Sequence, residues 1–217
     1  MKTFMKMNLP NKLTTLRMVA VIILIFIALI PWNGLASGGS FIQNWMYSCY
    51  SNKDLVWVRI VLCVIFVVAS FTDFLDGNIA RKNNIVTTYG KFMDPIADKL
   101  LVNSLFIILT CWGLVPLGVL LIIICRDIVV DAIRMVMMEK NVVVAANIFG
   151  KLKTVVQMIA IPFVLIYPLI FPEFSKVFPL EVFLCYLAAI ASLLSGVIYF
   201  IQAKDVVLDG ATEGAKK

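Results

Sequence analysis

Long apolar runs alternate with short polar stretches along this chain. Six runs stand out, at about 14–32, 54–72, 95–113, 115–138, 153–172 and 179–202. A helix needs about 20 mostly apolar residues to cross the hydrocarbon of a bilayer. Only helices and closed barrels satisfy every backbone polar group there. The pattern therefore predicts an all-α polytopic bundle of six transmembrane helices. Gly113-Leu114-Val115-Pro116 predicts a tight turn between the third and fourth spans, and Pro172 to Pro179 marks the next connection. Residues 33–53 read as a polar, Gly/Ser-rich loop with Trp45 and Tyr50 at the interface. Trp32, Trp57 and Trp112 also fall near span ends, where an aromatic belt is expected. No internal repeat is visible. Residues 1–217 read as one membrane domain, with 1–13 as an N-terminal segment and 203–217 as a polar, mobile tail.

Charge orients the bundle. Lys2, Lys6, Lys12 and Arg17 precede or open the first span. Arg81, Lys82 and Lys91 follow the second, Arg134, Lys140, Lys151 and Lys153 flank the fourth-to-fifth connection, and Lys204, Lys216 and Lys217 lie in the tail. The other side offers Lys53, Arg59 and Lys176. The positive-inside bias then predicts cytoplasmic N- and C-termini in a multi-pass protein of the cell (plasma) membrane.

Composition narrows the function. Of 217 residues, 62% are hydrophobic, which excludes an ordinary soluble domain. The net charge of +6 follows from membrane orientation and anionic headgroups, so no nucleic acid is implied. The five cysteines show no paired spacing and read as small apolar residues. There is no histidine, so any proton acceptor is a carboxylate, an amine, a tyrosine or a metal-bound group.

Against this apolar background, residues 73–98 read DFLDGNIARKNNIVTTYGKFMDPIAD. Asp73 and Asp76 are three apart and Asp94 and Asp98 four apart, so each pair shares a helix face. Gly77 reads as lying just past the end of the second span. Asp94 and Pro95 read as opening the third, with Pro95 in its first turn. Two such helices facing one another present four carboxylates where membrane meets water, a hard-oxygen set suited to Mg²⁺ or Mn²⁺, with room for two ions. Ionisable groups at such a depth are usually functional. Helix caps would explain Asp94 and Asp73 but not eight fixed positions at once.

Those positions fit D-x2-D-G-x2-A-R-x8-G-x3-D-x3-D throughout, and the chain resembles the CDP-alcohol phosphatidyltransferases, most closely the branch that uses glycerol 3-phosphate. NKLTTLR at 11–17 and GKLKTVVQ at 150–157 resemble family segments too. The resemblance implies a metal-dependent enzyme that moves the phosphatidyl group from CDP-diacylglycerol to glycerol 3-phosphate and releases CMP. It implies that Asp73, Asp76 and Asp94 hold metal, and that Asp98 both approaches the second ion and accepts the alcohol proton. It implies CDP contacts from Asn11, Thr14, Arg17, Gly77, Ala80 and Arg81, a close approach of the third helix at Gly90, and a homodimer. The residues themselves supply a candidate acceptor-phosphate site: Arg126, Arg134, Lys151 and Lys153 gather toward one side, with Asp127 and Asp131 as partial counter-charge to Arg126. Rival readings are another acceptor (inositol phosphate, serine or phosphatidylglycerol), a membrane prenyltransferase and a divalent-cation transporter.

Overall fold

The computed structural model describes residues 9–30, 32, 52–82, 88–139 and 148–213, with side chains placed for 11–30, 32, 52–73, 93–138 and 150–204. Among the described residues the secondary structure is helical, with no strand. The helices are α1 (Leu9–Leu29), α2 (Val56–Lys82), α3 (Thr88–Cys111), α4 (Leu117–Glu139), α5 (Ile148–Ile170), the short α6 (Pro172–Val177) and α7 (Leu180–Glu213). A 3-10 turn, Asn52–Asp54, leads into α2.

The packing divides into two groups of three. Helix α1 lies against both α2 and α3, while α7 lies against both α4 and α5. Contact between α2 and α5 is the main seam joining the groups. Leu24, Leu62, Phe66, Leu105, Phe106, Leu109, Ile123, Ile161 and Leu165 form one continuous buried core across that seam. A second cluster, Val130, Ile133, Met137, Tyr199 and Ala203, holds α4 to the far end of α7. The outer faces are as apolar as the core. Phe26, Val64, Val68, Phe71, Ile128, Ile159, Phe183 and Leu194 are all exposed. An apolar exterior of this extent is expected where the surrounding solvent is lipid.

Four helices contain segments long and apolar enough to cross a membrane: Asn11–Leu29, Val56–Asp73, Gly150–Ile170 and Leu180–Lys204. The other two long helices differ because they carry charge. Asp94, Asp98 and Lys99 lie in α3, and Arg126, Asp127, Asp131 and Arg134 in α4.

The helices overrun the apolar runs. Helix α2 continues through Gly77 to Lys82, and α3 begins at Thr88, so Gly77 does not end a helix. Asp94 and Pro95 likewise stand in a helix interior rather than at its start. Helix α7 carries on into the expected tail as far as Glu213. Hydropathy marks where the lipid ends, whereas backbone hydrogen bonding continues into water wherever no breaker intervenes. Two other readings change. Trp112 is buried in the core rather than lying in an aromatic belt, and Cys111 and Cys125 are exposed on apolar faces while Cys63 and Cys185 are buried. Residues 33–51, with Trp45, Cys49 and Tyr50, lie outside the described residues.

The turn at residue 113 is built as the sequence predicts. Gly113 has φ 73° and closes α3: its N–H donates to the Thr110 carbonyl at 2.9 Å, and the Leu114 N–H to the Leu109 carbonyl at 2.9 Å. That pair of bonds satisfies the last carbonyls of α3 and needs a left-handed residue, for which glycine is suited. Asn52, fully buried, does a similar service for α1. Its Nδ2 donates to the carbonyls of Ala28 at 3.0 Å and Ile30 at 2.8 Å.

Arg59 is not a loop charge. It is buried within α2, and its Nη2 donates to the Val164 carbonyl of α5 at 3.0 Å. The reason lies four residues on: Pro168 has no N–H, so Val164 lacks its usual intrahelical partner. In lipid such a carbonyl needs a donor from elsewhere. Arg59 supplies it across the seam between the two helix groups.

Candidate active site

The acidic motif is laid out by one continuous helix and its neighbour. Asp73, Asp76, Gly77, Ala80 and Arg81 recur at i, i+3, i+4, i+7 and i+8 along α2, which is one helical stripe. Gly90, Asp94 and Asp98 recur at i, i+4 and i+8 along α3. The continuation of both helices past the apolar runs is what keeps each register intact. Asp76, Ala80 and Arg81 lie outside the described side chains.

Helix α1 ties the two stripes together. Arg17 is buried, and its guanidinium forks onto two carboxylates from different helices: Nη2 to Asp73 Oδ1 at 2.5 Å and Nη1 to Asp98 Oδ1 at 2.8 Å. One turn earlier Thr14, also buried, donates from Oγ1 to Asp94 Oδ1 at 2.5 Å. A cation this far from water is tolerated only when paired. Here it brings carboxylates of α2 and α3 to one point. Asn11 stands one turn before Thr14, partly buried, its carbonyl accepting from Thr15 Oγ1 at 2.9 Å. Asn11, Thr14 and Arg17 therefore follow one side of α1, with Thr14 and Arg17 turned onto the acids.

The second group of helices contributes cations. Asp127 on α4 is buried between Arg126, whose Nη1 donates to it at 3.0 Å, and Lys153 of α5, whose Nζ donates to the same Oδ1. Arg126 Nη2 also donates to Ser195 Oγ on α7 at 2.7 Å. The stem of Arg126 passes so near α7 that a Cβ at Gly196 would stand 2.8 Å from its Cγ. Asp131 does not compensate Arg126; it pairs with Lys99 of α3, a bridge between the two helix groups. Arg134 is exposed, donates from Nε to Tyr199 OH at 3.3 Å, and lies 5.2 Å from that ring's centre. Lys151, on α5, is exposed.

A cleft of about 320 Å³ runs between the two groups, with Pro95, Asp98, Lys99 and Val102 on one wall and Arg126, Lys153, Gln157 and Ser195 on the other. Asp98 thus faces both ways, toward Arg17 on one side and into the cleft on the other. All four sequence-derived cations line this cleft. Four further residues went unremarked in the sequence. Ser195 and Tyr199 sit in an apolar helix and look like packing. Lys99 reads as an ordinary helix charge, and Gly196 as a small residue. Only their three-dimensional partners give them a role.

The acids fit a hard divalent cation by donor chemistry, since Asp73, Asp94 and Asp98 offer carboxylate oxygen and, among the described residues, no nitrogen or sulfur ligand stands with them. Among the described residues no three ligating side chains converge on a single point. Asp76, the fourth acid, lies outside the described side chains.

The family model described as CDP-alcohol phosphatidyltransferase matches residues 7–198. A Bacillus subtilis (strain 168) protein named CDP-diacylglycerol–glycerol-3-phosphate 3-phosphatidyltransferase is 37% identical over 195 residues, 89% of this chain and 93% of the relative. Proteins of the same name from Mycoplasma pneumoniae and Salmonella choleraesuis are 38% and 30% identical. They cover 74% and 94% of this chain, and 68% and 100% of their own lengths. With the eight fixed residues of the motif registered on two consecutive helices and the match extending over nearly all of the described bundle, the chain belongs to the CDP-alcohol phosphatidyltransferase family.

Proposed function

We propose that this chain transfers the phosphatidyl group of CDP-diacylglycerol to glycerol 3-phosphate, giving phosphatidylglycerophosphate and CMP. The observation that carries this reading is the cleft with Asp98 on one wall and the buried Arg126–Asp127–Lys153 cluster on the other. The printed names of the relatives point to the same acceptor.

In this reading the acceptor's phosphate lies against Arg126 and Lys153, with Arg134 and Lys151 at the mouth to draw it in. Arginine's planar fork suits a phosphate, and burial strengthens the pairing. The distal hydroxyl then points to Asp98. Its oxygen attacks the lipid-side phosphorus of CDP-diacylglycerol. A new P–O bond forms, the bond to CMP breaks, and the hydroxyl proton passes to Asp98. Asn11, Thr14, Arg17, Gly77, Ala80 and Arg81 hold the CDP half. Arg17 also keeps Asp98 and Asp73 oriented through its two short contacts. Mg²⁺ or Mn²⁺, as two ions held by Asp73, Asp76, Asp94 and Asp98, would neutralise charge on the diphosphate.

The same reading makes α3 and α4 membrane spans alongside the four more apolar helices, giving six. Five of their charges, Asp98, Lys99, Arg126, Asp127 and Arg134, line the cleft, while Asp94 meets Thr14 and Asp131 meets Lys99. Residues 1–217 form one membrane domain with both termini cytoplasmic, the site opening at the cytoplasmic face of the plasma membrane, and two copies forming a homodimer.

The test is CMP release by purified protein in lipid vesicles containing CDP-diacylglycerol, offered glycerol 3-phosphate, inositol phosphate, serine and phosphatidylglycerol in turn. Release with glycerol 3-phosphate, abolished by chelation and restored by Mg²⁺ or Mn²⁺, is expected. Preference for another acceptor would overturn the substrate assignment, and full turnover after exhaustive chelation would overturn the metal assignment.

A further inference from the structure

Gln157 stands on α5 one turn beyond Lys153 and lines the same cleft. It is 3% exposed, yet its Nε2 has no hydrogen-bond partner among the described residues. A buried amide nitrogen left unpaired is costly, and such a group in a native fold calls for a ligand or a fixed water. Its surroundings narrow the choice. Arg126 and Lys153, both paired with Asp127, stand on the same wall, and Asp98 lines the opposite wall on α3. Met158 and Val102 line the cleft with it and offer no competing polar atom. A neutral donor in this position suits a neutral oxygen, neither the phosphate that the cations would take nor the hydroxyl that a carboxylate would deprotonate.

We propose that Gln157 donates a hydrogen bond to the hydroxyl of the acceptor that does not react, and so selects a polyol phosphate over a simple alcohol phosphate. This rests on the acceptor reading above and adds a specificity-determining residue to it. A site built to hydrogen-bond a hydroxyl penalises an analogue that lacks it, because the buried donor is then left bare.

The experiment compares glycerol 3-phosphate with 3-hydroxypropyl phosphate, the same chain without its middle hydroxyl, in wild-type protein and in Gln157→Met. Methionine keeps the length and removes the donor. Wild type should favour glycerol 3-phosphate in kcat/KM by about tenfold or more, the scale expected for a buried hydrogen bond lost to an analogue. In Gln157→Met that preference should fall toward one. A retained preference would overturn the proposal. An equal fall for both acceptors, leaving the ratio intact, would also overturn it and mark Gln157 as structural. Gln157→Leu, which removes every polar atom of the side chain, supplies the same ratio if the methionine variant does not fold. Failure of wild type to use glycerol 3-phosphate at all would instead sink the reading beneath, and this inference with it.

Discussion

Replacing Gly196 by alanine tests whether the position of Arg126 governs acceptor binding. The added Cβ would stand 2.8 Å from Arg126 Cγ and 3.6 Å from its Nε. Carbon atoms in contact settle at about 3.5–4.0 Å, so the stem must retreat by roughly 1 Å. The obstructed atom is near the root of the side chain, and a rotation there swings the whole guanidinium. The tip is held by Ser195 Oγ at 2.7 Å and Asp127 Oδ1 at 3.0 Å, and neither bond survives such a swing unchanged. A hydrogen bond to a charged group contributes about 1.5–3 kcal/mol. Losing one at the acceptor site corresponds to about a ten- to hundredfold fall in kcat/KM for glycerol 3-phosphate. The assay is CMP release at varied acceptor and at varied CDP-diacylglycerol. The acceptor KM should rise while the KM for the nucleotide lipid holds. Thermal stability should fall as well, because the gain of about 1 kcal/mol in helix propensity from alanine does not offset the strained Arg126 contacts, so the readout is the split between the two KM values. Gly118→Ala is the control, since a Cβ there meets nothing within 4 Å. An unchanged acceptor KM in Gly196→Ala would refute the argument that Arg126 is positioned by its fit against α7.

Two further outcomes follow from the geometry. Asp98→Asn should lower kcat by about 10²-fold or more, the usual scale for loss of a general base, while CDP-diacylglycerol still binds; near-normal turnover would remove Asp98 from that role. Arg59→Ala should destabilise the detergent-solubilised protein by about 1–3 kcal/mol through the bare Val164 carbonyl, and Pro168→Ala should recover much of that loss by restoring an intrahelical N–H; strict additivity of the two changes in thermal unfolding would show that they are uncoupled.

Much of the bundle was legible because its signal is local. Apolar runs found the six long helices of the described residues, and the spacing of the acids gave the registers on α2 and α3. Gly113 marked its turn by backbone chemistry alone. What escaped depends on partners distant in sequence. Arg59 looked like an outward-facing topology charge because nothing in the sequence near it says that Pro168, on another helix, leaves a carbonyl open. Asp131 looked like a counter-charge to Arg126 because it is close in sequence, but Lys99 from α3 takes it. Ser195, Tyr199 and Gly196 carry no sequence mark that separates them from packing residues. Helix ends were misplaced at Lys82, Thr88 and Glu213 for a different reason: hydropathy reports the solvent, and helix propagation does not stop where the solvent changes.

The bond from Arg59 to Val164 has a consequence for how the chain is made. Helix α2 is synthesised before α5, and it carries a guanidinium that hydrocarbon does not welcome. Helix α5 follows with an unmet carbonyl that hydrocarbon tolerates no better. Each helix inserted alone has an unpartnered polar group, and the bond from Arg59 Nη2 to the Val164 carbonyl gives each a partner when they meet. This bond favours a pairing that sets the acid-bearing helix beside the lysine-bearing helix, so a contact made to satisfy the bilayer also helps to align the two walls of the cleft.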